Sequence, residues 1–495
     1  MLKKNSILTV LLLLLFTVTA AAQDFSVLQG CRRGTPRSEN LHLRRGGSEG
    51  KVPGGDYYYG ERHQLTVLVS FNDRFFVGNE AATLEQWDKI FNAENLTEEP
   101  FKGSVHDYFS AQSCGDFNVV FDLFYVQVSG DAKKYASTSA DDENSQYLVQ
   151  DIMEVLLSRD DIAWDRYDWN GDGQVNQLLI IFAGKGSRLG GFGSEDGIWP
   201  HQWWLTEHLK DRQPGVYCDA IPVTYNDKQY LVDCYCALQE LAKDGTYGAF
   251  GTLCHEYSHC FGFPDFYTST GSCITDWDLM DRGNYNGGGF CPPNYSAHER
   301  WLMGWLNMKE LNENTTVTAM KSLSDGYPEA YLIRNDGYSD EYYIVENRQK
   351  IGWDSALPGS GLVVFHVDFD PSIWAGIVEY PNSSKLKRYT IFAANNKTGI
   401  YNAAGWPYPY EGNCQLTNES TPAAVLNHPN TDDTKLMSKP ITNMTVTGGL
   451  ASFDFLGGST GMKEVTTGAD QLLYRFGSIN IIRNAQGEIR KVIRK

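Results

Sequence analysis

The spacing of apolar and polar positions divides the chain into stretches of different texture. Lys3 and Lys4 precede an apolar run over 7–18, which is followed by small residues at 20–22. That run is too short for a bilayer core, which needs about 20 apolar residues, and the order of charge, apolar run and small residues predicts a signal peptide over 1–22. Residues 23–60 are rich in Gly, Arg and Ser without hydrophobic period, which predicts a leader or short pro-segment. Strands and helices then alternate. Strands are predicted over 64–71, around 117–128 and over 177–183, and helices over 104–110 and 146–157. From Thr315 the runs become short and β-rich, among them 330–333, 341–345 and 361–367. The expected organisation is an α+β catalytic region over 61–312, a β-rich C-terminal domain over 313–458 and a tail over 459–495. A chain of 495 residues is also too long for one ordinary core, so two folded units are expected.

Charge narrows the partners. The net charge of -19 repels phosphate backbones, so nucleic acid is not an expected partner. No other segment reaches about 18 uninterrupted apolar residues, so no transmembrane span is expected. The tail reverses the sign, with seven basic side chains against three acids. Eight of the ten cysteines lie between Cys114 and Cys291, and export predicts disulfides concentrated there, with connectivity open. Cys254 and Cys260 are about 600° apart on one predicted helix and face different sides, so they are not expected to pair with each other. The oligomeric state is not encoded in any pattern along the chain.

The candidate chemistry lies in His255-Glu256-Tyr257-Ser258-His259. Two histidines four apart on a helix are separated by about 400°, so both imidazoles project from one face a turn apart, a spacing that fits one tetrahedral zinc ion. Glu256 points to the side of that metal, where it can take a proton from water as general base. Gly262 and Pro264 stop the helix and turn the chain, which leaves Asp265 able to swing back as third ligand. Glu299 is the alternative third ligand. Some enzymes with this motif take a glutamate from a later helix, and residues 295–305 can form one.

The run from His255 through Phe263-Pro264-Asp265-Phe266-Tyr267 resembles the immune inhibitor A-like family of secreted bacterial zinc metallopeptidases, distant relatives of the metzincins. Trp277-Asp278-Leu279-Met280 looks like that family's Met-turn. Ile198-Trp199-Pro200-His201, His298-Glu299-Arg300-Trp301 with Gly304-Trp305, Val345-Glu346-Asn347-Arg348 and Leu357-Pro358-Gly359-Ser360-Gly361 extend the similarity across residues 61–456. The resemblance implies a metzincin-like zinc peptidase domain and an exported metalloendopeptidase acting on protein or peptide substrates. It places Met280 beneath the zinc without binding it, and Asp265 where metzincins have a third histidine.

Secondary features carry weaker chemistry. Asp168, Asn170 and Asp172 match the first half of an EF-hand-type calcium loop, but Leu179 stands where the closing glutamate belongs. A structural calcium site there competes with an ordinary Asn/Gly-rich turn. Cys31 in the leader either caps the zinc until the leader is removed or is an idle or disulfide-bonded thiol. His201, beside Trp203 and Trp204, is a candidate for lining the cleft, whereas His298 and His366 are given no role. Residues 473–495 loosely resemble the C-terminal sorting modules of exported proteins in some Gram-negative bacteria, which implies surface attachment. The rival class of function is a non-catalytic or glycan- or mucin-directed binding protein on a peptidase scaffold. Glu256 beside both histidines argues for turnover.

Overall fold

The computed structural model describes residues 55–136, 144–186, 197–210, 213, 215–242, 245–268, 271–374 and 380–458, with short backbone segments at 32–33 and between 466 and 493. The expected signal peptide, most of the expected leader and Cys31 lie outside the described residues. No helix among the described residues is long and apolar enough to cross a membrane.

In chain order the first region contains β1 (Gly60–Ser70), α1 (Glu80–Asn92), α2 (Val105–Gln112), β2 (Phe117–Gln127), α3 (Ser145–Leu156), β3 (Leu178–Lys185), β4 (His201–Trp204), β5 (Cys234–Leu241), α4 (Phe250–Cys260) and α5 (Ala297–Leu302). The strands form one sheet in the order β4-β5-β3-β1-β2, parallel except where β4 runs antiparallel to β5. The backbone at Arg32–Arg33 pairs in parallel with the outer edge of β4.

Alternation along the strands explains both layers. Leu65, Val67 and Val69 of β1 face one side, where Ile180 and Phe182 join them against Leu148, Val149, Ile152 and Met153 of α3. Leu68, Leu179, Ile181 and Leu238 face the other side, in the core that holds Leu253, Tyr257 and Phe261 of the α4 segment. Because both faces are covered, β3 reads as a continuous apolar run, as parallel strands do. The start of α2 is fixed by a capping box in which Ser104 Oγ accepts from Asp107 N–H and Asp107 accepts from Ser104 N–H, each at 3.0 Å.

A second sheet follows, containing β6 (Ala330–Arg334), β7 (Glu341–Arg348), β8 (Gly361–Asp368) and β9 (Tyr389–Ile391), antiparallel in that order. Tyr342, Ile344, Val363 and Phe365 belong to the same core as α4. Tyr343, Val345, Leu362 and Val364 face a distal three-stranded sheet of Thr315–Met320, Ile441–Thr447 and Leu450–Phe455. The apolar core therefore continues past residue 312. In the tail, backbone strands Thr466–Thr467, Asp470–Phe476, Ile479–Arg483 and Ile489–Ile493 form a separate antiparallel sheet.

The expected disulfides are not formed among the described residues. Cys114, Cys234, Cys254, Cys260, Cys273, Cys291 and Cys414 carry free thiols. Cys234, Cys254 and Cys260 pack in the same core as Leu238 and Phe261, where a thiol serves as a small apolar side chain. Burial pushes the Cys254 thiol well above its usual range, which favours the inert protonated form.

Candidate metal centre

Helix α4 is seated by close backbone approach. A side chain at Gly251 would place its Cβ 2.1 Å from Asn284 O, so only glycine lets the helix settle against that segment. The helix stops at Cys260. Gly262 follows with φ +95°, and its N–H bonds His259 O at 2.8 Å, a left-handed exit that glycine takes without strain.

The turn through Phe263 and Pro264 returns Asp265 to the face of α4 that carries both histidines. Asp265 Oδ1 lies 3.2 Å from His255 Nε2 and 3.3 Å from His259 Nε2, and all three residues are buried. The imidazole centroids are 4.8 Å apart with the rings near perpendicular at 83°. Among the described residues this is the one group of His, Cys, Asp or Glu whose ligand atoms all lie within 4.8 Å of one another.

Backbone carbonyls set the tautomers. His255 Nδ1 lies 2.8 Å from Leu279 O and His259 Nδ1 lies 2.7 Å from Phe263 O. A carbonyl can only accept, so each Nδ1 carries a proton and donates it, which leaves the Nε2 lone pairs of the neutral rings aimed toward Asp265. Burial opposes the charge on Asp265, but when the rings also carry a proton on Nε2 the charge of His259, with hydrogen bonds from both imidazoles, outweighs it and holds the carboxyl well below its usual range. Two imidazole nitrogens and an ionised carboxylate converging on one point fit a three-ligand zinc site with a further position open.

Glu256 is fully buried and lies about 100° further round the helix than His255. The segment expected to be a Met-turn contacts this group. Leu279 O fixes His255, Met280 N–H donates to Asp278 Oδ1 at 2.8 Å, and Met280 O accepts from Phe266 N–H at 2.9 Å. Met280 is fully buried, as a packing element would be. Tyr267 stacks on His255 with ring centroids 6.4 Å apart.

Glu299 does not join the ligand group. Its Oε2 accepts from Ser296 N–H at 2.7 Å and from Ser296 Oγ at 3.0 Å, closing a capping box at the start of α5. Burial, and then the charge of Asp278, push the Glu299 carboxyl well above its usual range. A carboxyl raised in this way stabilises the fold below its unfolded pKa of about 4.3, and that contribution is lost as pH rises through the folded value. Glu299→Gln keeps the cap and removes the titration. Between about pH 5 and about pH 8 its thermal midpoint should fall less than that of the wild type. Equal pH slopes for the two proteins would refute the buried titration.

The other candidates are placed as follows. Asp168 Oδ1 accepts from the N–H groups of Gly171 at 2.9 Å and Asp172 at 3.1 Å, and its Oδ2 accepts from Gly173 N–H at 3.0 Å. Asn170 Nδ2 donates to Asp172 Oδ2 at 2.8 Å, so Asp168, Asn170 and Asp172 do come together, in a turn held by the loop's own donors. His201 Nε2 bonds Tyr235 Oη at 3.0 Å on the α3 side of the sheet, away from α4, so it does not line the metal centre. His298 bonds Tyr342 Oη at 3.0 Å and His366 bonds Glu341 at 2.7 Å, both as buried packing groups. The carbonyls of Leu279 and Phe263 are functional groups that residue type does not reveal, because every residue carries one.

Residues 63–306 match the family model for the immune inhibitor A peptidase M6 catalytic domain. Immune inhibitor A of Bacillus thuringiensis subsp. alesti is 29% identical over 273 residues, covering 48% of this chain and 36% of that protein. Pre-pro-metalloprotease PrtV of Vibrio cholerae serotype O1 is 27% identical over 248 residues, covering 43% of this chain and 25% of that protein. The matches thus span about a third and about a quarter of the lengths of these relatives. His255, Glu256, His259 and Asp265 all fall within the matched region, so residues 63–306 are the part of the chain that matches the immune inhibitor A peptidase M6 catalytic domain.

Proposed function

We propose that this chain is an exported zinc metalloendopeptidase that hydrolyses peptide bonds of extracellular proteins. His255, His259 and Asp265 hold the zinc and Glu256 is the general base. The convergence of both Nε2 atoms on Asp265 Oδ1, with each Nδ1 committed to a carbonyl, supports this reading above all. Zinc held by these atoms would supply a Lewis acid that polarises a peptide carbonyl and acidifies water. Glu256 takes the proton of the attacking water on a carboxylate oxygen and passes it to the departing amide nitrogen. The carbonyls of Leu279 and Phe263 keep both imidazoles in one tautomer and orientation throughout. Export rests on the charged and apolar N-terminal pattern, and protein substrates on the metalloprotease named among the relatives.

Casein incubated with the protein should yield new peptide termini, read by mass spectrometry. A zinc chelator should abolish them and added zinc should restore them. Binding of casein or of mucin glycans with no new termini would replace this proposal with the binding-protein reading.

A further inference from the structure

The metal loop is also held from outside the region matched to the family. Asn382, just ahead of β9 and fully buried, donates through Nδ2 to Phe266 O at 2.9 Å, the carbonyl next after Asp265. The same Nδ2 donates to Tyr389 O at 2.7 Å, while Oδ1 accepts from the N–H groups of Arg388 at 3.1 Å and Tyr389 at 3.0 Å. That uses every donor and acceptor an amide side chain has. Tyr389 Oη lies 3.2 Å from Asp278 Oδ2, and Asp278 in turn holds Met280 N–H. Arg348 of β7 donates to Trp277 O at 3.3 Å, at the entry to the same turn.

Asp265 comes from a loop, so its carboxylate is placed by the backbone around it and not by a helix. Phe266 N–H is tied to Met280 O and Phe266 O is tied to Asn382, which fixes both peptide units that flank Phe266, the first of them shared with Asp265. We propose that Asn382, in the turn that leads into β9, and Tyr389, at the start of β9, are positioning residues of the metal centre, setting the Asp265 loop and the Met280 turn on which metal affinity depends. The inference rests on the zinc reading of His255, His259 and Asp265. Its consequence is that the matched region does not carry its full metal affinity by itself, because part of the ligand geometry is supplied from beyond residue 306.

Asn347 provides the control. It is an equally buried amide, on β7 of the second sheet, but its Nδ2 donates to Met320 O and Gly449 O, each at 2.9 Å, on the side of the distal sheet. Zinc affinity is measured on the full chain by competition with a chelator, and the thermal midpoint on the metal-free form. Asn382→Ala should weaken zinc binding by about 10–100-fold, the range for loss of an outer partner of a ligand. Asn347→Ala should lower the thermal midpoint and leave zinc affinity unchanged. Unchanged affinity in Asn382→Ala, or equal loss in both variants, overturns the proposal. Should Asn382→Ala not fold, Tyr389→Phe removes only the hydroxyl; weakened zinc binding there supports the proposal and wild-type affinity overturns it. A wild-type protein that binds no zinc would instead overturn the metal assignment itself.

Discussion

Glu256→Gln should retain zinc and lose proteolysis, with kcat/KM lower by about 10²–10⁴-fold, the contribution of a positioned general base. Glutamine matches the shape of glutamate and cannot take a proton from water. Glu256 is buried on α4 beside His255, so the isosteric change leaves the packing of the helix intact. The measurement pairs zinc content by elemental analysis with casein turnover. Full turnover in the variant would take the base away from Glu256. Loss of zinc together with activity would show that Glu256 supports the ligands instead.

The second large effect concerns the third ligand. Asp265→Ala should strip zinc from the purified protein, a loss beyond the roughly 10–100-fold expected when only an outer partner is removed. Glu299→Gln should keep zinc at wild-type stoichiometry. Asp265 Oδ1 sits 3.2 and 3.3 Å from the two imidazole nitrogens, whereas Glu299 spends its Oε2 on Ser296 at the start of α5. Elemental analysis of both variants after dialysis at neutral pH decides the matter. The reverse order would hand the third ligand to α5.

Elements with strong local patterns were legible in the chain. The predicted strand over 177–183 corresponds to β3 at Leu178–Lys185, and the predicted helix over 146–157 corresponds to α3 at Ser145–Leu156. Both have periodic or continuous apolar positions long enough to leave one interpretation. Helix α1 escapes a search for apolar runs because its buried stripe is Thr83, Trp87, Ile90 and Phe91, scattered among polar residues. Strand β4 has four residues, and β5 mixes Cys, Ala, Gln and Glu, so neither announces itself. The cysteines misled for a different reason. Their number and the expected export favour disulfides, but several are spent as small apolar groups in the core, and packing of that kind is not visible in a count.

The sequence by itself determined the helix of the candidate site: the turn of separation between His255 and His259, the carboxylate of Glu256 beside them, and the glycine that ends the helix. These follow from local geometry, because 3.6 residues per turn and the left-handed freedom of glycine act within a few residues of chain. The tertiary structure alone decided which carboxylate lies against the two imidazoles, which carbonyls face their Nδ1 atoms, and that Asn382 reaches Phe266 across 116 positions of sequence. Asp265 and Glu299 are equally competent as ligand types, so only their distances from the imidazoles separate them. Backbone carbonyls are the same at every residue, and a contact between distant segments depends on how the second sheet packs against the first core, which no local pattern specifies.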